Sequence, residues 1–173
     1  MRKNEEQLKE IKLNDSGKYE YTGAYYRIDE ELSGANARRN LILMHAALIA
    51  LVIGSGLSES EAATKAFYVI LPYVGEVTSF FILTWAVTSV IYKKDKIRVS
   101  AVEGGAGKII GGATLLAMFA MIGCLMAMIH IIRSGDIGGI AGDIVYPAIK
   151  LCTAAVAMRF KKAYLNVHWK IAE

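Results

Sequence analysis

The 173-residue sequence contains only two cysteines, two prolines and three histidines. Cys124 and Cys152 each lie inside an apolar stretch, which excludes a disulfide scaffold and a CxxC redox or zinc pair. Because 54% of the residues are hydrophobic, collagen and intrinsic disorder are excluded as well. The sequence has no HExxH motif, no carboxylate cluster and no nucleophile with a plausible base. We therefore expect no enzyme activity, no metal site and no cofactor.

Long apolar runs are what the sequence has in abundance. Its mean hydropathy is +0.36, and four stretches hold most of the hydrophobicity: residues 41–57, 67–92, 109–132 and 142–160. A helix that crosses a bilayer needs about 20 apolar residues. The sequence therefore predicts an all-α, multi-pass membrane protein with four transmembrane helices in two hairpins. We expect an N-terminal segment over residues 1–40, the transmembrane domain over 41–160 and a tail over 161–173.

The lysines and arginines are distributed unevenly around these stretches. Lys65 and Arg133 fall in the two loops on one side, whereas nearly all the others precede the first stretch, separate the second from the third, or follow the fourth. Since basic residues are retained on the cytoplasmic side, we expect both termini to be cytoplasmic, at a bacterial-type plasma membrane. The basic residues favour contact with anionic lipid headgroups. They flank spans and form no groove with stacking aromatics, so no nucleic-acid binding is expected.

Aromatic residues lie near the predicted ends of the spans. This position is typical of the aromatic belts of membrane proteins, where amphipathic rings lie at the level of the headgroups. On this interpretation the outer boundary carries Phe67, Tyr68 and Tyr146, and the inner boundary carries Tyr92, Phe160, Tyr164 and Trp169.

A tyrosine-rich segment precedes the first stretch. Four tyrosines lie within eight residues: Tyr19, Tyr21, Tyr25 and Tyr26. A short amphipathic helix is predicted to follow, from about Asp29 as N-cap to Arg38. We interpret this helix as an elbow on the cytoplasmic leaflet, with the tyrosines as interfacial anchors. The alternative is a docking surface for a partner protein, because tyrosine is favoured at protein interfaces.

Two ionisable residues, Glu76 and Lys150, fall inside predicted spans. A charge at the bilayer centre costs at least about 2.5 kcal/mol, so it is seldom kept without a partner. Counting residues from the span ends puts both groups roughly 12–14 Å deep, which predicts an opposite-charge pair facing the bundle interior. Pro72 and Pro147 precede them by four and three residues and predict helix kinks. The pair is interpreted as a fixed structural contact, a transport or proton-coupling site, or a contact with another subunit.

Small residues indicate where helices can approach closely. Gly107 and Gly111 form a GxxxG pair, which predicts a ridge for packing against a helix of this chain or of another copy. The ridge is continued by Ala113, Ala117, Ala120 and Cys124. The glycines before Lys108 lack the spacing of a Walker A motif, so a nucleotide site is not expected.

These features favour a small integral membrane subunit that acts as an accessory or regulatory component of a membrane complex. We expect it to form a homo-oligomer or to join a larger membrane complex, in contact with anionic lipids. The alternative is a small oligomeric transporter or channel that uses Glu76 and Lys150 near the bilayer midplane.

Overall fold

The protein is described here by a computed structural model that covers residues 11–13, 19–21, 23–58, 66–93, 97–134 and 140–172. Five helices lie in this part of the chain: α1 (Glu30–Ser33), α2 (Ala37–Gly56), α3 (Phe67–Val90), α4 (Val99–Ser134) and α5 (Ile140–Leu165). Of these, α2, α3 and residues Val99–Arg133 of α4 are long and apolar enough to cross a membrane. The chain is thus a helical membrane protein.

The four long helices pack as one bundle. α4 packs against both α3 and α5, whereas α2 packs chiefly against α5 and less against α3, its neighbour in sequence. The arrangement therefore differs from two separate hairpins. One reason is that Ser55, near the C-terminal end of α2, accepts a hydrogen bond from Lys150 of α5. Contact within the hairpin is kept at the other end of α2, where Arg38 donates hydrogen bonds to the backbone carbonyls of Ile91 and Tyr92 at 2.9 and 3.0 Å.

Short strands accompany the bundle. β1 (Ile11–Leu13) and β2 (Tyr19–Tyr21) form an antiparallel pair. A separate three-stranded sheet has β3 (Tyr25–Ile28) between β4 (Ile97–Arg98) and β5 (Trp169–Ala172). This sheet joins the segment before α1, the segment before α4 and the C-terminal segment at one end of the bundle, which we call the sheet end. Tyr26, Ile28, Ile97 and Trp169 from the three strands pack into the apolar core.

The connection between β3 and α2 differs from the elbow helix predicted over residues 29–38. Asp29 is an N-cap, since its side chain accepts a hydrogen bond from the backbone N–H of Glu31 at 3.1 Å. However, α1 ends at Ser33, because Gly34 has a φ of 87° that breaks the helix. Arg38 already belongs to α2. The predicted helix was therefore wrong in its extent.

Close contact between α3 and α4 depends on glycine. A Cβ added at Gly75 would lie 2.6 Å from the ring of Phe119, and one added at Gly112 would lie 3.2 Å from the backbone of Leu83. Neither distance is ordinary van der Waals contact, so these glycines set the spacing of the two helices.

The buried side chains form two apolar clusters. The larger one lies towards the sheet end and includes residues of all four long helices, such as Leu48, Leu83, Leu116 and Phe160. The smaller one consists of Ala66, Val69, Ala127 and Tyr146. Polar side chains are buried between the two clusters, and they form the candidate site.

Candidate functional site

Three helices contribute polar side chains to the centre of the bundle. Ser55 lies in the last turn of α2, Glu76 near the middle of α3 and Lys150 near the middle of α5. Glu76 shares a buried helical face with Val69 and Leu83, which lie seven residues to either side. The helical period thus carries the acid into the interior together with its apolar neighbours.

The carboxylate and the ammonium group are in direct contact. Nζ of Lys150 lies 2.5 Å from Oε2 of Glu76, and both side chains are 0% exposed. The two charges that the sequence puts at one depth therefore meet inside the bundle. Nζ also donates a hydrogen bond to Oγ of Ser55 at 3.0 Å. The Ser55 hydroxyl donates in turn to the carbonyl oxygen of Val52 at 2.9 Å, which leaves its lone pair to accept from the ammonium group.

Two tyrosine rings face the same ammonium group. Nζ of Lys150 lies 4.4 Å from the ring centroid of Tyr73 and 4.8 Å from that of Tyr146. Both distances lie within the roughly 6 Å range of cation–π attraction, which is worth about 2 kcal/mol when the cation is desolvated. The ammonium group is therefore stabilised by a carboxylate, a hydroxyl and two aromatic faces.

The carboxylate is less well satisfied than the ammonium group. Oε1 of Glu76 is buried and has no hydrogen-bond partner among the described residues. A buried charged oxygen without a donor costs free energy, and taking an ion pair out of water costs several kcal/mol per ion. The arrangement can link three helices electrostatically, and it leaves one carboxylate oxygen able to accept a further hydrogen bond.

Both prolines lie within helices beside the charged site. Pro72 is buried in α3 one turn before Glu76, and Pro147 lies in α5 three residues before Lys150. α4 closes the site at Gly123, where an added Cβ would lie 3.7 Å from Cβ of Pro72 and 3.8 Å from the side chain of Lys150. These are ordinary contact distances, so α4 packs directly on the pair and its proline.

The tyrosine-rich segment is divided between two sheets. Tyr25 and Tyr26 lie in β3, where Tyr25 is paired with Ala172 and Tyr26 with Ile171 of the C-terminal strand. Tyr19 and Tyr21 belong to β2, and their side chains fall outside the described part of the structure. Tyr25 and Tyr26 therefore lie between β4 and the C-terminal strand of the same chain.

The two glycines of the predicted ridge face away from the other helices. A Cβ added at Gly107 or Gly111 would meet no described atom within 4 Å, in contrast to Gly112 one residue further on. The alanines that continue the ridge, Ala113, Ala117 and Ala120, are instead buried in the core.

Sequence reasoning missed Ser55, Tyr73 and Gly123 at this site. It also put Tyr146 in the outer aromatic belt, and this was wrong, since Tyr146 is buried and faces Lys150. The inner belt was wrong for Phe160 and Tyr164, which are buried in the larger apolar cluster. Position along a helix does not determine which side of the bundle a ring faces. A usable signal was the spacing: Tyr73 lies three residues before Glu76, and Tyr146 lies four before Lys150, so each shares a helical face with the charge.

The histidines near the two ends of the bundle have hydrogen-bond partners. The ring of His45 is buried, with nitrogens 3.2 Å from the Tyr92 hydroxyl and 3.1 Å from the Thr84 hydroxyl. Nδ1 of His130 lies 2.7 Å from the hydroxyl of Tyr68. In the described part of the chain no three His, Cys, Asp or Glu side chains are grouped to hold a metal ion.

Comparison with known proteins found no matching family, no matching curated protein and no matching solved structure.

Proposed function

We propose that this chain is a small integral membrane subunit that acts as an accessory or regulatory component of a membrane complex. The observation that carries the proposal is that Glu76 and Lys150 are both fully buried and in direct contact. A charged group on a transport path has to meet water or substrate at some stage. A sealed pair that joins three helices is instead typical of a contact that specifies how a bundle assembles.

The proposed topology has four spans, with the sheet end in the cytoplasm. α5 is 26 residues long, which corresponds to about 39 Å, and it packs along α4, so it is long enough to cross with its neighbour. Exposed basic residues near the sheet end support this orientation: Arg27, Arg39, Lys93, Lys108 and Lys162. Both termini would then be cytoplasmic, at a bacterial-type plasma membrane.

The outward ridge supports association with other helices. Gly107 and Gly111 leave the surface of α4 open, and GxxxG pairs allow helix backbones to approach closely in membranes. The ridge is therefore the surface that we assign to contact with a second copy or with a larger membrane complex.

Three variants test whether the charged pair is structural: Glu76→Gln, Lys150→Met and the double variant. Removing one partner leaves the other charge buried and unpaired, which costs about 3–5 kcal/mol, whereas replacing both is often neutral or stabilising. We expect both single variants to lower the yield and melting temperature of detergent-purified protein, and the double variant to recover them. Failure of the double variant to recover would contradict a structural role.

Purification from native membranes tests the accessory role directly. We expect the wild type and the double variant to retain the same co-purifying membrane proteins, identified by mass spectrometry. A Gly111→Leu variant should lose them while keeping its melting temperature. Retention by Gly111→Leu would remove the ridge from the proposal, and a wild type that purifies without any partner would contradict the accessory role.

The transporter or channel alternative is favoured by one observation. Oε1 of Glu76 is buried without a described partner, and an acceptor of this kind is suited to binding a proton. Reconstitution of the purified chain into liposomes with an internal pH dye separates the two functions. The accessory role predicts no proton flux above that of empty liposomes, whereas the alternative predicts a flux that Glu76→Gln abolishes.

A further inference from the structure

We propose that the groove between α4 and α5 binds an acyl chain of an anionic phospholipid, whose phosphate contacts Lys161 and Lys162 at the sheet end. The proposal goes beyond the accessory role, because it concerns a specific lipid site and does not depend on a partner protein.

The groove is apolar and large enough for a chain. It is lined by residues of α4 between Thr114 and Met121 and by residues of α5 between Leu151 and Met158, and its volume is about 520 Å³. This volume lies within the range of about 300–1,000 Å³ that is typical of ligand pockets. The Thr114 hydroxyl already donates to the carbonyl oxygen of Ile110 at 2.7 Å, so it does not need a polar ligand.

The shape of the groove follows from its small and flexible side chains. Ala117 and Ala154 are nearly buried and form its floor, while Met118 and Met158 are about half exposed and form its rims. Methionine adapts to irregular apolar partners, and an acyl chain is such a partner. The groove extends for about 10 Å along α4, from Thr114 to Met121.

The register between the helices places basic residues at one end of the groove. Gly123 lies against Lys150, and Ala127 is in one apolar cluster with Tyr146. The two helices are therefore antiparallel, and a step of four residues forward on α4 corresponds to a step of four residues back on α5. The same register puts Lys162 level with Gly111, one turn beyond the groove towards the sheet end.

The basic end has the charge that an anionic headgroup requires. Lys162 follows Leu151, Ala155 and Met158 on one helical face, and it is exposed, whereas Lys161 beside it is partly buried. In the described chain neither lysine has an ion-pair partner. A lipid whose acyl chain lies in the groove therefore has its phosphate within reach of two ammonium groups. Basic pockets between membrane helices bind lipid headgroups in the same way.

The charge at this end of the groove fits an anionic lipid. A phosphate group attracts the ammonium groups of Lys161 and Lys162, neither of which has an ion-pair partner in the described chain.

Native mass spectrometry of the delipidated full chain tests the proposal, with phosphatidylglycerol and phosphatidylcholine of identical acyl chains as probes. We expect tight binding of one phosphatidylglycerol. Lys162→Gln should weaken that lipid about fivefold and leave phosphatidylcholine unchanged, the factor that corresponds to about 1 kcal/mol per basic residue. Lys93→Gln, an exposed lysine outside the groove, should change neither affinity.

Substitutions that fill the groove test whether it binds the acyl chain. Ala155→Trp should remove the tight binding of phosphatidylglycerol and weaken that of phosphatidylcholine, whereas Ala46→Trp, at an exposed alanine of α2, should change neither. Met118→Trp fills the groove from the other wall and serves if Ala155→Trp does not fold. Equal binding of the two lipids, or tight binding that survives the filling variants, would overturn the proposal. Conversion of a dimer to a monomer by these variants, without loss of lipid, would show that a second copy occupies the groove.

Discussion

The ammonium group of Lys150 has a different kind of partner on each side. The carboxylate of Glu76 neutralises its charge, the Ser55 hydroxyl accepts a hydrogen bond from it, and the rings of Tyr73 and Tyr146 lie within cation–π distance. These partners are not equivalent in free energy. Loss of the carboxylate leaves a buried charge, whereas loss of the hydroxyl leaves one unsatisfied N–H group.

Ser55→Ala isolates the hydroxyl contribution. We expect a loss of about 1 kcal/mol in the free energy of unfolding, because one donor of Lys150 loses its acceptor. Ser58→Ala is the matched control, since the Ser58 hydroxyl donates to the backbone carbonyl of Ser55 and, within the described residues, has no hydrogen bond to the charged pair. Unfolding of both variants in mixed detergent measures the difference between their free energies of unfolding. Equal losses in the two variants would show that the hydrogen bond from Lys150 to Ser55 does not stabilise the protein.

Alanine substitution at two adjacent glycines of α4 is expected to have opposite effects on stability. Gly111→Ala adds a methyl group in open space and gains helix propensity, worth about 1 kcal/mol. Gly112→Ala adds the same group 3.2 Å from the backbone of Leu83, and overpacking of this kind costs about 1–3 kcal/mol. We expect the melting temperature to rise or stay constant for Gly111→Ala and to fall for Gly112→Ala. A fall for both variants would place a neighbouring helix against Gly111 as well.

At the scale of elements, the sheet end ties distant parts of the chain together. β3 is hydrogen-bonded to β5 across more than 140 positions of sequence, and Ser33 accepts from the backbone N–H of His168 at 2.8 Å. Lys170 donates to Oδ1 of Asp29 at 3.1 Å. The segment before α1 is therefore held by the C-terminal strand, and a truncation of either one would release the other.

The contact between Asp29 and Lys170 predicts a pH dependence of the sheet end. The hydrogen bond from Lys170, together with the one from the Glu31 backbone, holds the pKa of the Asp29 carboxyl below its ordinary value of 3.8. A carboxyl with a lowered folded-state pKa stabilises the folded state above the unfolded pKa, and this contribution is lost as pH falls through the folded pKa. We expect the sheet end to be unchanged from neutral pH down to about pH 5 and to loosen below the ordinary value.

Fluorescence of Trp169 measures this transition in a Trp85→Phe background, because the chain has two tryptophans and Trp169 lies in β5. Asp29→Asn should remove most of the acid transition, and Lys108→Gln should leave it unchanged. An unaltered transition in Asp29→Asn would assign it to another group.

At the scale of the whole molecule, a polar layer separates two apolar clusters. Glu76 lies between Val69 of the smaller cluster and Leu83 of the larger one, and Lys150 lies between Tyr146 and Ala154 in the same way. The bundle can slide little along its axis, since a shift of one turn would move each charge against an apolar side chain. Specifying the register of the helices in this way is the structural role that we propose for the pair.

The proposed orientation predicts which cysteines a membrane-impermeant maleimide labels. In a Cys124→Ala, Cys152→Ala background, Ser58→Cys should react in intact cells, because it follows α2 at the end opposite the sheet. Lys93→Cys, at the other end of α3, should react only after permeabilisation. The reverse pattern would invert the topology, and reaction of both in intact cells would contradict a span between them.

The sequence predicts the long helices well and their partners less well. The positions of the apolar stretches match the long helices, with boundaries that shift by up to ten residues, since α4 starts at Val99 and the third stretch at residue 109. The depths of Glu76 and Lys150 follow from counting residues along regular helices. Ser55 and Gly123 do not follow in this way, because their contacts depend on the rotation of α2 and α4 about their own axes.

By itself the sequence determined the class of protein and the depth of its two charges, because hydropathy and helical rise are properties of each segment taken alone. Only the tertiary structure decided that α2 packs on α5, that Tyr25 and Tyr26 lie in a strand held by the C-terminal segment, and that Gly107 and Gly111 face outward. These features depend on contacts between residues far apart in the chain. Such contacts form only when whole helix surfaces pack against each other, and a short stretch of sequence does not show which surfaces will meet.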